Sequence, residues 1–210
     1  MMVRRLSLFF AACLIAAVAV TATQASTSAT DTIRHTVDNV LNIIKDPGMQ
    51  DANKRPALLA DVETLIKSIF DFTEFSARTV GPKWRQFTPD QKKRFTDAFE
   101  DLLRATYIER LDGYDGQQVK FLGEVSSTKG DKVEVQTTIT IKNQDVPVSY
   151  RVLDKNGVWK IYDVHIEKVS LIENYRGQFK EILLKGNAEE LIGKVAEKAR
   201  EIQKQNAPAL

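Results

Sequence analysis

Asp163 and His165 stand two residues apart in a stretch that alternates apolar and polar side chains, so on a strand both leave the same face, close enough to share a proton. Acyl-transfer chemistry would also need a serine or threonine nucleophile beside that pair and an oxyanion hole opposite it. Nothing in the chain points to either: there is no G-x-S-x-G elbow, no Gly-rich phosphate loop and no H-E-x-x-H zinc helix. The pair reads more readily as a surface histidine beside a structural acid, and His35 falls on the polar side of a helix. Cys13 is the single cysteine, so no intrachain disulfide forms, and two histidines exclude a His-rich metal centre. These residues predict a protein that is not an enzyme and carries no cofactor. The remaining chemistry is cationic. Arg151 and Arg176 each follow a tyrosine and are placed to lay their stems on a core. Lys83, Arg85, Lys92, Lys93 and Arg94 form a basic patch at the start of a helix, where the helix dipole disfavours cations; it is either a docking surface or a solvated face.

The elements that position these groups follow from periodicity. Apolar residues at Ile33, Val37, Val40, Leu41 and Ile44 form one helical stripe, ended by Asp46-Pro47-Gly48, and a second runs from about Pro56 to Ile69. A short helix ends near Gly81-Pro82. Thr88-Pro89-Asp90-Gln91 is a capping box that opens the longest helix, to about Leu111. After Gly116 the period changes to two over Val119/Phe121, Val133–Ile141, Val146–Val152 and Val158–Ile166, with Asn156-Gly157 a strong type I′ hairpin signal. Helical spacing returns in two final stretches, through Leu171, Tyr175, Phe179 and Leu183, then Leu191, Val195 and Ile202. The predicted class is α+β, with helices on one face of a four-stranded antiparallel meander.

The chain has 210 residues, 43% of them hydrophobic, enough for one sizeable core. Met1 to Arg5 is a short basic segment, and Leu6 to Val20 is an apolar run followed by Thr21-Ala22-Thr23-Gln24-Ala25, the build of a secretory signal peptide. As a helix the run would span only ~22 Å, short of the ~30 Å of a bilayer core. Residues 1–25 are therefore expected to be a cleaved leader and 26–210 a single domain. Thirty Lys and Arg stand against 28 Asp and Glu, and two of the cations, Arg4 and Arg5, go with the leader. The mature chain is then neutral, a poor candidate for nucleic acid.

Aromatic residues crowd two regions, Phe70 to Tyr107 and Tyr150 to Phe179, and either fill a core or line a cavity. The second region also carries a pattern. Tyr150-Arg151, Trp159-Lys160-Ile161-Tyr162-Asp163-Val164, Ile166-Glu167, Val169-Ser170-Leu171 and Asn174-Tyr175-Arg176 with Gln178-Phe179 resemble the MlaC family, periplasmic phospholipid-binding proteins also called toluene-tolerance proteins. Upstream, Phe70-Asp71, Gly81-Pro82-Lys83-Trp84, the Thr88 cap, Phe95, Phe99 and Thr106-Tyr107 fit the same pattern. Two positions depart from it: Lys168 stands where the family usually has glycine, and Gly81-Pro82 where Leu-Gly is common.

The resemblance implies a monomeric carrier with an apolar cavity between helices and sheet. It would shuttle phospholipids between an inner-membrane ABC transporter with an MCE-domain subunit and an outer-membrane lipoprotein complex, in support of outer-membrane lipid asymmetry. A periplasmic chaperone with an apolar groove is the alternative. On this reading helix residues Phe70, Phe75, Phe99, Leu103 and Tyr107, with Tyr175, Phe179 and Leu183, face the lipid from one side. Strand residues Val135, Ile139, Val148, Tyr150 and Val152, with Tyr162 and Val164, face it from the other. Arg151 and Arg176 are candidate phosphate contacts, Arg176 alternatively a brace to Asp163 or Glu167, and the basic patch is the docking surface. A headgroup left in water at the cavity mouth would be weakly discriminated.

Cleavage after Ala25 makes Ser26 the first residue of the exported protein, with Ala22 the other compatible site. Intact-mass measurement on protein from a bacterial periplasm should read a chain beginning at Ser26; full-length chain retained in the membrane fraction would contradict a cleaved leader.

Overall fold

The structure is a computed structural model that describes residues 27–108, 116–141 and 144–206. The expected leader and the expected end of the long helix at Leu111 lie outside the described residues. Four helices come first: α1 (Ala29–Ile44), α2 (Arg55–Ile69), α3 (Phe72–Val80) and α4 (Pro89–Leu103). A meander follows, of β1 (Val119–Ser126), β2 (Lys132–Ile141), β3 (Gln144–Lys155), β4 (Val158–Ile166) and β5 (Val169–Ser170), and then α5 (Leu171–Lys185) and α6 (Ala188–Asn206).

Several helix starts carry side-chain caps. Ser28, Asp71 and Ser170 accept hydrogen bonds from the backbone N–H groups of Asp31, Glu74 and Glu173, opening α1, α3 and α5. Thr88 and Gln91 form the expected reciprocal capping box of α4, at 3.0 and 3.2 Å. At its other end α4 departs from expectation: after Leu103 the chain widens into a π turn over Arg104–Ile108. The Thr106 hydroxyl donates back to the Leu102 carbonyl at 2.7 Å, a bond that competes with the helix ladder and bends it. Asn206, at the end of α6, donates to the Ala105 carbonyl in that turn.

The strands run antiparallel in the order β1-β2-β3-β4-β5, one strand more than expected. The extra strand is two residues long, and it exists because Glu167 and Lys168 both take left-handed backbone, φ 51° and 68°, and turn the chain straight back onto β4. A non-glycine residue in that conformation costs about 1–2 kcal/mol. Asn156 and Gly157 adopt the positive φ values, 58° and 83°, of the expected β3–β4 hairpin.

The register between β3 and β4 shifts once, pairing Arg151 with Asp163 but Val152 with Ile161. Tyr162 is the extra residue of this bulge, and the alternation of β4 changes face across it.

Apolar side chains gather in two clusters. One joins the inner face of the sheet to Ala29 and Ile33 of α1 and Ile69 of α2. The other is built from α3 to α6 around aromatic rings. Phe99 lies at its centre, 0% exposed, with ring centroids of Phe75, Phe95, Tyr175 and Phe179 between 4.9 and 5.7 Å away. No helix among the described residues is long and apolar enough to cross a membrane. Removing the central ring leaves a void with four aromatic walls, so Phe99→Ala should cost about 3–5 kcal/mol in urea unfolding; a loss below about 1 kcal/mol would show that the helical cluster is loosely packed.

Candidate functional site

Between α1, α2, the π turn and the inner face of the sheet lies apolar space in two adjoining lobes. The first, about 470 Å³, is walled by Ile33, Val37, Val40, Leu41 and Ile44 of α1, by Ile66 and Ile69 of α2, and by Val119, Ile139, Ile141 and Ile161 of the sheet. The second, about 380 Å³, lies under α2 and the π turn, against Phe72, Phe75, Leu103, Tyr107, Ile108, Val148, Val164, Ile166 and Leu171. Ile66, Phe70, Ile139 and Tyr150 line both lobes and form the partition. Both volumes fall in the ~300–1,000 Å³ range of small-molecule sites. Their walls are almost wholly carbon, and the charged residues Glu63, Lys67, Glu100 and Arg104 are confined to the second lobe.

Helix and sheet positions produce this arrangement together. Phe70 lies at the corner between α2 and α3, pinned by a bridge to Ile161 and by the Asp71 N–H donating to the Ile161 carbonyl at 2.8 Å. The π turn brings both Tyr107 and Ile108 to the wall, where a regular helix would turn one of them away. Tyr150 is half-buried where the two lobes adjoin, and burial pushes its phenol up to about 12, with the Thr137 hydroxyl partly opposing. Burial, and after it the Tyr107 phenol, likewise raise Tyr175.

Eight of the fifteen residues expected at the wall are there: Phe70, Phe75, Leu103, Tyr107, Ile139, Val148, Tyr150 and Val164. The other seven are packed instead. Phe99, Tyr175, Phe179 and Leu183 belong to the helical cluster, where the rings fill one another's faces. Val135 and Val152, both 0% exposed, sit deep in the sheet cluster. Tyr162 is turned into the helical cluster by the bulge, which sends Ile161 to the cavity in its place. The largest contribution that the sequence reading did not assign comes from α1. Its stripe was plain in the sequence, but nothing there shows that a stripe faces empty space.

The polar candidates lie elsewhere. Asp163, 1% exposed, accepts from the Ser170 hydroxyl at 2.7 Å and from the Ile172 N–H at 3.2 Å, with His165 Nε2 at 3.2 Å and Arg151 at 4.0 Å. Ser170 donates to the carboxylate, so the histidine does not activate it as a base activates a nucleophile. The aspartate ties β4 to the start of α5.

Arg151 is on the outer face of the sheet, donating to Glu134 at 3.1 Å, and lines neither lobe. Burial raises the Glu134 carboxyl, but hydrogen bonds from Ser149 and Arg151 outweigh it and hold the group below its ordinary range. Arg176 donates through Nε and Nη2 to the Arg78 carbonyl at 2.9 and 2.7 Å, a brace from α5 to the end of α3 rather than to Asp163 or Glu167. Of the basic patch, Lys83 caps the Leu183 carbonyl, Lys93 pairs with Asp97, Arg94 with Asp90 and Glu189, and Lys92 lies 5.8 Å from the Trp84 ring. Arg85 is exposed.

The family model described as MlaC protein matches residues 34–197. A Haemophilus influenzae protein named intermembrane phospholipid transport system binding protein MlaC is 24% identical over 127 residues, 59% of each chain, so the matched segment covers under two thirds of that relative. The toluene tolerance protein ttg2D of Pseudomonas putida is 24% identical over 151 residues, 71% of this chain and 70% of its own. Among solved structures, the phospholipid-binding protein of Ralstonia solanacearum, determined in complex with a phospholipid, superposes with a TM-score of 0.74 at 28% identity, over 84% of this chain and 99% of the other. The matched model spans far more than half of the sequence, and the chain belongs to the MlaC family.

Proposed function

We propose that this protein is a phospholipid carrier of the periplasm, one that takes a lipid from one membrane complex and delivers it to another. The observation that carries this reading is the apolar cavity of two lobes sharing one wall, which suits the two chains of a diacyl lipid. Energetics explain why such a cavity is required. A diacyl lipid has some thirty methylenes, and at about 0.8 kcal/mol each its extraction from a bilayer leaves on the order of 20 kcal/mol to be offset by apolar surface. A shallow groove of the kind a chaperone uses could not provide that. The names of the Haemophilus and Pseudomonas relatives and the phospholipid held by the Ralstonia protein support the same ligand. No catalytic step is part of the proposal.

The partners in this reading are an inner-membrane ABC transporter carrying an MCE-domain subunit and an outer-membrane lipoprotein complex, approached by a monomer after removal of residues 1–25. Docking uses the surface around Lys83, Arg85, Lys92, Lys93 and Arg94. Several of these cations already have intramolecular partners at the surface, so their part is to steer encounter rather than to hold the complex, and hand-over should slow as salt rises.

Val148 and Val135 separate cavity wall from core, since both are on the inner face of the sheet but only Val148 lines a lobe. With a fluorescent phospholipid supplied in vesicles, Val148→Trp should lose most of its uptake at nearly unchanged stability, whereas Val135→Trp should lose about 1–3 kcal/mol of stability as an overpacked core does. Uptake that survives Val148→Trp, with the fold destabilised instead, would contradict the assignment.

A further inference from the structure

The π turn that supplies Tyr107 and Ile108 to the second lobe is held by a helix that lines neither lobe. α6 packs on α4 and on the π turn, and none of its residues is at the cavity wall. Its last residue, Asn206, donates through Nδ2 to the Ala105 carbonyl at 2.8 Å. The last four carbonyls of a helical run have no partner within it, and in the run that ends at Ile108 among the described residues, the Ala105 carbonyl is one of these. Ala105 is 0% exposed, so this carbonyl is shut off from water, and the Asn206 amide satisfies it.

The turn needs such a tie. A π segment is the rarer form of helix, and a return to regular winding rotates the residues beyond it by about 100°, the turn of one helical residue. That rotation takes Tyr107 or Ile108 off the wall. The second lobe then loses one side, while the first, which the π turn does not line, keeps all of its own. We propose that Asn206 is a positioning residue for the lipid site: from the end of α6 it holds the π turn in the form that completes the second lobe, and so sets whether two acyl chains or one are accommodated. The proposal rests on the carrier reading above, with one chain in each lobe.

The test supplies the mature protein with a fluorescent phospholipid of two chains or a fluorescent lysophospholipid of one, each in vesicles, and reads the affinity for both. Asn206→Asp keeps the size of the side chain but sets a carboxylate against the Ala105 carbonyl, and Asn206→Ala leaves that carbonyl without this donor. Both should bind the two-chain lipid about fivefold more weakly, in step with the smaller fraction of molecules whose turn is in place. Binding of the one-chain lipid and the urea unfolding midpoint should stay close to those of the unsubstituted protein. Asn206→Gln, which keeps the amide, should recover part of the loss. The residue is half-buried at the end of the last helix, so none of these changes opens the core. Two-chain binding unchanged in both the Asp and the Ala variants, or equal losses for the two lipids together with lower stability, would overturn the positioning role. An unsubstituted protein that takes up neither lipid would instead overturn the carrier reading on which that role depends.

Discussion

Four rings packed about Phe99 make the helical part of this protein self-sufficient, and the open space beside it depends on that. A domain of this size has little stability to forgo, and an unfilled apolar space costs roughly 24 cal/mol per Å³ when it is made by truncating a packed core. A cavity is tolerable where the surrounding elements each have a partner of their own. Here α3 packs on α5, α4 on α6 and α1 on α2, and the sheet strands pair with one another, so each element has a partner besides those it meets around the lobes. The apolar residues that do face inward are left with their surface unsatisfied until a ligand covers it.

Polar groups complete the frame on the other side of the sheet. Glu134, Ser149, Arg151, Asp163 and His165 form a run of hydrogen bonds and close charges over β2, β3 and β4, and Asp163 extends it to Ser170 and the start of α5. This joins the sheet to the helical cluster without any contact through the cavity. The same residues looked like chemistry in the sequence. In the structure they tie three strands to one another and to the start of α5.

The fold class, all six helices and four of the five strands were legible from period and turn chemistry. The fifth strand was not, because it depends on left-handed backbone at Glu167 and Lys168, which no pattern of side chains announces. The cavity wall was half legible. Alternation assigned Ile139, Val148 and Tyr150 to the inner face correctly, but it failed at Tyr162, where one bulged residue changes which side chain points inward. Helical stripes cannot separate wall from core: Phe75 touches the cavity while its ring also stacks on Phe99, and only packing decides between them. Arg151 and Arg176 were attractive as phosphate ligands by residue type alone, yet each is satisfied by a protein acceptor.

The central claim is that the two lobes together hold the acyl chains of a phospholipid, and native mass spectrometry tests it most directly. Protein exported with its own leader, purified from a bacterial periplasm without detergent, should fly as a complex heavier than the bare chain by the mass of phospholipid, which collisional activation releases. A spectrum of bare chain alone, from protein that remains bare after incubation with phospholipid vesicles, would contradict the account.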